Sequence, residues 1–542
     1  MGASLKRVVL AVLLLLPPAL LASCGGGGGS SSGGGPAPQL PTTPPVALNF
    51  IEPPIVKSTS GVASLSLSAV LADGLIPSYV WATGSGFVAP TIEVNPGDQI
   101  QLKLFNNLPP AADRLAMGLP DETNVHFHGL TTSPNAPGDD SIDVVEPGGA
   151  TTYNVLVSSD QPPGAYWYHA HPHGESAYQV GYGMSGAIVI DGIENEVPDV
   201  AGLRQQVLIV RQHFTTGVTS RQRSLAARYC GLNRLHGAQR AAFLATLASE
   251  PRPEAAAAPV PLTVNGIDST SVTMGIMPGE RQLFRVINAS VGRYLDLSVG
   301  GENLELVSQD GVPLVDYSGS PASLTVPDIV VPPSGRAEFV VTGQSGAATL
   351  STLAFDSGPV GDPDPAAVVA TLINDHGTSS HWRVPFARPH RPRLHPSAYR
   401  DPLPPPSVSH TIEFQENSSQ TVYMLNGQVY DPLAGPMIVS NSGTVEQWTL
   451  LNETDEVHDF HIHQIHFVAT SVDGVPVPAA QQHWRDTYNL PPQTHNADGS
   501  TTPSSTTVLM DFRDPVIRGT FLFHCHIIDH EDAGMMAKIQ VI

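Results

Sequence analysis

The sequence predicts an all-β chain of three β-sandwich domains, with a short helical insertion in the middle one. An internal repeat is the first observation. Thr91-Ile-Glu-Val-Asn-Pro-Gly97-Asp-Gln-Ile-Gln-Leu-Lys-Leu-Phe-Asn106 reads as a strand, a Pro-Gly turn and an alternating strand. Val272 to Asn288 and Met437 to Asn452 repeat it, with a turn glycine at Gly279 and Gly443 and an asparagine at the matching end. A repeat much longer than a solenoid unit marks duplicated β-domains. Composition is the second: 50 Gly and 51 Pro in 542 residues suit short strands separated by turns. Length is the third, since the chain is several times one ordinary domain.

Taken in order, residues 1–23 read as an export signal. Lys6 and Arg7 precede an apolar run from Val8 to Ala22 that is too short for a membrane span with normal flanks. The run ends in Leu21-Ala22-Ser23-Cys24, which resembles a bacterial lipobox and implies cleavage before Cys24 and acylation of its thiol. Gly25, rather than Asp, follows Cys24; by the same resemblance this implies an outer-membrane address in a Gram-negative source, facing the periplasm or the outside. Residues 24–45 are Gly, Ser and Pro with almost nothing to bury, a flexible tether between lipid and catalytic part. The three sandwiches are expected at 46–195, 196–375 and 407–542. Residues 376–406, rich in Arg, His and Pro, read as a linker whose His376, His381, His390 and His395 are too irregularly spaced for a metal site. Inside the middle domain Thr219 to Glu254, with Arg221, Arg223, Arg228, Arg234 and Arg240 among Ala and Leu, has helical composition. It is either a solvated insertion or a lid beside a substrate site.

Lys plus Arg number 26 against 49 Asp plus Glu, a net charge of −23, which argues against nucleic acid as a partner. Of three cysteines, Cys24 is expected to be lipidated and Cys525 to bind metal, which leaves Cys230 without a disulfide partner. An exported chain without disulfides depends on its cores and its metals. Oligomeric state is not readable.

The chemistry concentrates in four clusters. Phe521-Leu-Phe-His524-Cys525-His526-Ile-Ile-Asp529-His530-Glu-Asp-Ala-Gly-Met535 begins as a strand, whose period of two sends His524 and His526 to one face and Cys525 to the other. Cys525 then looks towards His530 and Met535, and thiolate, imidazole and thioether are the groups of a blue-copper electron-transfer site. Asn124-Val-His126-Phe-His128-Gly129 and Tyr166-Trp-Tyr-His169-Ala-His171 each put two rings on one strand face. In His458-Asp-Phe-His461-Ile-His463 the last two share a face, and His458 is free to serve another site. The first and last repeats carry two clusters each and the middle none. A second metal site is thus expected between the outer domains, with the middle one as spacer and wall, and folding is tied to metal binding.

With these motifs the chain, from about residue 50 to its end, resembles three-domain multicopper oxidases of the laccase and bacterial spore-coat-laccase kind. The resemblance implies Greek-key cupredoxin domains and four copper ions. It implies that His458, Cys525 and His530 hold the type 1 copper with Met535 axial, and that His126 and His461 hold the type 2 copper. His128, His169 and His526 would hold one type 3 copper, and His171, His463 and His524 the other. The family often has Gly-His after the third cluster; here Gln464-Ile465-His466 stands instead, and His466 is read as a supporting residue. Met536 is expected to point away.

Reduction of oxygen to water consumes protons, so an acid is needed near the cluster. Asp529, matching the acidic position of spore-coat-type laccases, is the first choice, and Asp140, or its neighbour Asp139, the second. The expected partners are a small reducing substrate and O2. Phenols and aromatic amines come first as donors; Cu(I), Fe(II) or Mn(II) come second, with Glu531 and Asp532 as the carboxylates that would hold the cation. The ten methionines form no Met-rich insert. Four clusters exceed what a two-domain copper nitrite reductase needs. A copper-binding envelope protein without turnover is the non-enzyme alternative, and it would not need Cys525 between two imidazoles.

Overall fold

A computed structural model describes residues 49–542 apart from 73–75, 82–88, 111–120, 213–234, 236, 251–260, 315–321, 376–398 and 400–402. The signal, the tether, Cys24, Cys230, the four linker histidines and most of the arginine-rich insertion fall outside the described residues. Strands dominate and pair into three sets of facing sheets, formed by residues 55–190, 204–373 and 408–541.

The three sequence repeats fold alike for a visible reason. Each turn glycine has a positive φ, +85° at Gly97, +76° at Gly279 and +91° at Gly443, a conformation glycine adopts without strain. The strand after each turn (Gln99–Asn106, Arg281–Asn288, Val445–Asn452) lies parallel to an incoming strand. It ends in a fully buried asparagine. Asn106 Nδ2 donates to Asp121 O and Val145 O, and its Oδ1 accepts from Leu108 N. Asn288 Nδ2 donates to the carbonyls of Arg293, Val331 and Pro332, and its Oδ1 accepts from Ser290 N. Asn452 does the same with Glu456, Leu490, Pro491 and Thr454. One side chain thus closes three chain segments at the same corner of every sandwich, and an unpaired carbonyl there would cost about 1–3 kcal/mol.

Each pair of sheets encloses its own apolar cluster. A fourth cluster joins all three sets: Trp167 and Val189 from the first, Val207 and Ile287 from the second and Ile528 from the third. The described part of the insertion is a helix, Gly237–Ser249. It is not a solvated appendage. Leu247 is 2 % exposed and belongs to the core of the third set, with Phe243 and Leu244 packed against that core. Thr421 Oγ1 donates to Leu247 O (2.8 Å), and Arg240 donates to Tyr430 O.

Two sheets carry the histidines. In the first set His126–His128 pairs antiparallel with Gly164–His169, so that His126 lies opposite His169. In the third, His458–Ile462 pairs with Gly519–Cys525, with Phe460 opposite Cys525 and His461 opposite His524. His458 sits on this strand itself, and the odd spacing of three residues sends its ring to the face opposite that of His461.

Candidate metal centre

The expected residues converge into two buried groups. Cys525 Sγ lies 3.6 Å from His458 Nδ1 and 3.8 Å from His530 Nδ1, and the two ring nitrogens are 3.1 Å apart. Cys525 N donates to Met535 O (3.0 Å), and the Met535 side chain is fully buried in the same apolar cluster. Met536 belongs to a different cluster, with Tyr430 and Leu522, so it does point away. His458 is held through Nε2 by Thr454 Oγ1 (2.9 Å). His530 is covered by the Tyr423 ring, stacked at 4.2 Å, and by Glu456, whose Oε1 lies 3.4 Å from its Nε2.

The other eight histidines form a cage between the first and third sheet sets. Six of the eight have an outer nitrogen held: His126 Nδ1 donates to Asp139 Oδ2 (2.9 Å) and His128 Nε2 to Asp486 Oδ1 (3.3 Å). His169 Nδ1 donates to Ala170 O, His461 Nδ1 to Asp486 O and His524 Nδ1 to Cys525 O, while His463 Nδ1 meets Ser141 Oγ. The inner nitrogens are left over. His126 Nε2, His128 Nδ1, His169 Nε2, His461 Nε2 and both nitrogens of His526 are buried with no hydrogen-bond partner. His171 Nε2 and His463 Nε2 each lie 3.2 Å from His524 Nε2. Burial pushes the rings of His128, His169, His461, His463, His524 and His526 well below the usual imidazole range and those of His171 and His458 down to about 3, so they are neutral. Neutral, inward-facing lone pairs with their outer N–H groups tied down are what a set of soft-to-borderline cations requires. Three-residue sets fall within ligand distance of one another, among them His171, His463 and His524, and His458, Cys525 and His530. The residues fit copper.

Ile528–Asp532 is a helical turn. Ile528, Glu531 and Asp532, spaced three and four residues apart, share its buried face, whereas Asp529 lies off that face and is only partly buried. Glu531 reaches the cage from that buried face: its Oε2 lies 3.2 Å from His524 Nδ1 and its Oε1 lies 3.7 Å from His171 Nε2. Burial, with the Asp532 charge adding, raises the Glu531 carboxyl well above the usual range. Asp532 accepts from the backbone N–H groups of Gly174, Ser176 and Ala177 and is pushed up to about 8, by burial first. Neither is a surface site for a cation. On the other strand pair the contact belongs to Asp139, which also accepts from Phe127 N and Gln464 Nε2, while Asp140 Oδ1 caps the turn at Ile142 and Asp143.

Sequence reasoning missed five residues. Trp167 stacks on His169 at 4.2 Å, and Glu456 and Tyr423 shield His530. Asp486 supports two cage histidines, and Arg336 reaches it from the middle sheet set. His466 is a supporting residue as expected, with Nε2 3.2 Å from Asp310 O and Nδ1 3.3 Å from Tyr399 Oη.

Comparison with known proteins agrees with this chemistry. Family models described as multicopper oxidase match residues 67–195, 236–350 and 400–542. The chain is 25% identical over 460 residues to multicopper oxidase mco of Staphylococcus haemolyticus, covering 84% of this chain and 82% of that one. It is 22% identical over 512 residues to a laccase of Bacillus subtilis, covering 86% and 91%. In fold it is similar to a Campylobacter jejuni multicopper oxidase described as a metallo-oxidase, with a TM-score of 0.63, 20% identity and coverage of 92% and 96%.

Proposed function

From the premise that this chain belongs to the multicopper oxidase family, we propose that it couples one-electron oxidation of a small reducing donor, phenolic or similar, to four-electron reduction of O2 to water. One observation carries the reading: Cys525 stands between two cage histidines, His524 and His526, on a strand paired with the one that holds His458 and His461. The thiolate side would hold a type 1 copper through His458, Cys525, His530 and Met535. The cage would hold a type 2 copper through His126 and His461, one type 3 copper through His128, His169 and His526, and the other through His171, His463 and His524. When bound, copper supplies the redox change and the oxygen-binding positions. The chain supplies the rest. The covalent path from Cys525 Sγ through the backbone to the rings of His524 and His526 joins the two sites without solvent. Glu531, buried against His524, holds the proton that oxygen reduction consumes, and Asp139 orients His126. Tyr423 and Glu456 leave only a narrow edge of His530 for the donor, whose side chain is 8% exposed.

A metal-ion donor is the second reading, favoured by the Glu456 carboxylate on His530 Nε2. The lipobox-like run Leu21-Ala22-Ser23-Cys24 and the tether after it are the basis for reading the chain as anchored at the cell envelope through Cys24. Oxygen uptake by the copper-loaded chain with a methoxyphenol, Cu(I), Fe(II) and Mn(II) tests the function, in wild type and Glu456→Gln. A phenol preference that persists in Glu456→Gln supports the first reading. Metal oxidation that Glu456→Gln lowers about tenfold or more, with phenol turnover kept, supports the second. Copper binding with no uptake from any donor overturns both and leaves a copper-binding envelope protein.

A further inference from the structure

Arg336 lies on the Arg336–Thr342 strand of the middle sheet set, which contributes no histidine to the cage. Its guanidinium is fully buried. Nη1 donates to Asp486 Oδ1 (2.7 Å) and Ser334 O (3.2 Å), Nη2 to Asp486 Oδ2 (2.5 Å) and Asp310 O (3.0 Å), and Nε to Ala165 O (3.3 Å). All five N–H groups are thereby used, on acceptors drawn from all three sheet sets. Asp486 is the centre of this arrangement. Both of its carboxylate oxygens are held by Arg336. The fixed carboxylate faces His128 Nε2, and the carbonyl of the same residue takes His461 Nδ1 (2.7 Å). The rings of His128 and His461, one from each outer domain, stack at 3.9 Å and 13°. Asp486 thus decides which nitrogen of each ring carries the proton, and so leaves His128 Nδ1 and His461 Nε2 as the buried lone pairs of the cage.

We infer that Arg336 and Asp486 are a positioning pair through which the middle domain fixes two cage histidines in the tautomer and orientation that bind copper. This rests on the reading of the cage as a copper site. The middle domain is then no spacer. Lysine cannot replace Arg336, because an ammonium is a point charge that meets one carboxylate oxygen and abandons the three carbonyls. An ordinary inter-domain ion pair would contribute stability alone, and a second buried pair offers the comparison. Arg285 pairs with Glu338 in the same middle sheet set and touches no cage histidine.

The test uses the full chain loaded with copper: wild type, Asp486→Asn, Arg336→Lys and Arg285→Met. Bound copper, the blue thiolate band and the electron-paramagnetic signal of the non-blue copper are read, and not turnover alone. In Asp486→Asn and Arg336→Lys the expected result is cage copper held about 10–100-fold more weakly, with an altered non-blue signal and an unchanged blue band. Arg285→Met should lose stability with both signals intact. Imidazole nitrogen resonances of the copper-free protein give a second reading that needs no metal. They should show His128 protonated on Nε2 in wild type and losing that preference in Asp486→Asn. An unchanged non-blue signal and an unchanged His128 tautomer, with stability lost as in Arg285→Met, would overturn the inference. Wild type that takes no copper into the cage would instead refute the copper reading on which it rests.

Discussion

Replacing Gly129 by alanine probes a close approach beside His128. Gly129 follows His128 with φ +86°, and a Cβ built there would lie 2.6 Å from Arg336 Nη2, 2.7 Å from Asp486 Oδ2 and 2.8 Å from Tyr166 Cδ1. None of these neighbours can yield. Arg336 and Asp486 are locked to each other, and the Tyr166 hydroxyl is bound to Pro162 O and Gly311 O. Gly97 is the natural control: its φ is +85°, but nothing lies within 4 Å of the corresponding Cβ. Gly97→Ala therefore feels the backbone penalty alone, about 1–2 kcal/mol for a left-handed conformation. Gly129→Ala adds overpacking of about 1–3 kcal/mol, for a total of about 2–5 kcal/mol. Urea unfolding of the two variants beside wild type measures the difference, and copper retention shows where it acts. Gly129→Ala should unfold at distinctly lower urea and hold cage copper poorly, while Gly97→Ala shifts slightly and keeps its copper. Equal shifts in both, with copper retained in both, would refute the close packing of the ion pair on His128.

Two further outcomes follow from groups already placed. Glu531→Gln should slow reoxidation of the reduced protein by O2 by about 10²–10⁴-fold, the range of a lost general acid, while Asp529→Asn leaves it near wild type; stopped-flow mixing with O2 measures both, and the reverse order would return the role to Asp529. Asp364, whose carboxyl is pushed up to about 7 chiefly by burial against the opposing Tyr294 N–H and Arg293, makes stability depend on pH. Its folded value is raised, so its contribution is complete below about 4, the unfolded value, and is lost as pH rises through about 7. Urea midpoints between those limits should fall more steeply in wild type than in Asp364→Asn, and parallel slopes would contradict the assignment.

The sequence made short-range geometry plain and long-range convergence invisible. His-x-His spacings and the His-Cys-His run declare their faces because a strand has a period of two, and the triple repeat declares three sandwiches because turn glycine and terminal asparagine recur at fixed offsets. Asp529 was chosen by resemblance to an acidic position of spore-coat-type laccases; one turn of helix at 528–532 puts positions 528, 531 and 532 on its buried face and 529 off it. Asp139 and Asp140 differ by one residue in a loop, where no periodicity chooses between them. Arg336 and Asp486 stand 150 residues apart, one in a strand and the other in the bend between two short strands, and only packing of three sheet sets brings them together. The helix at Gly237–Ser249 was visible in its composition, but Leu247, with Phe243 and Leu244, anchors it on the third core, and nothing in the chain marks those residues.

The pairing of His458–Ile462 with Gly519–Cys525 has a consequence for how this protein can fail. Because side chains alternate, a slip of one residue in that ladder would turn the thiolate towards the cage and His524 away from it, so both sites would be lost in the same event. Damage to the strand pair therefore leaves no half-built form that accepts electrons and strands them short of oxygen. A molecule that draws reducing power at one end and discharges it at the other is safest when its input and output are broken by the same fault.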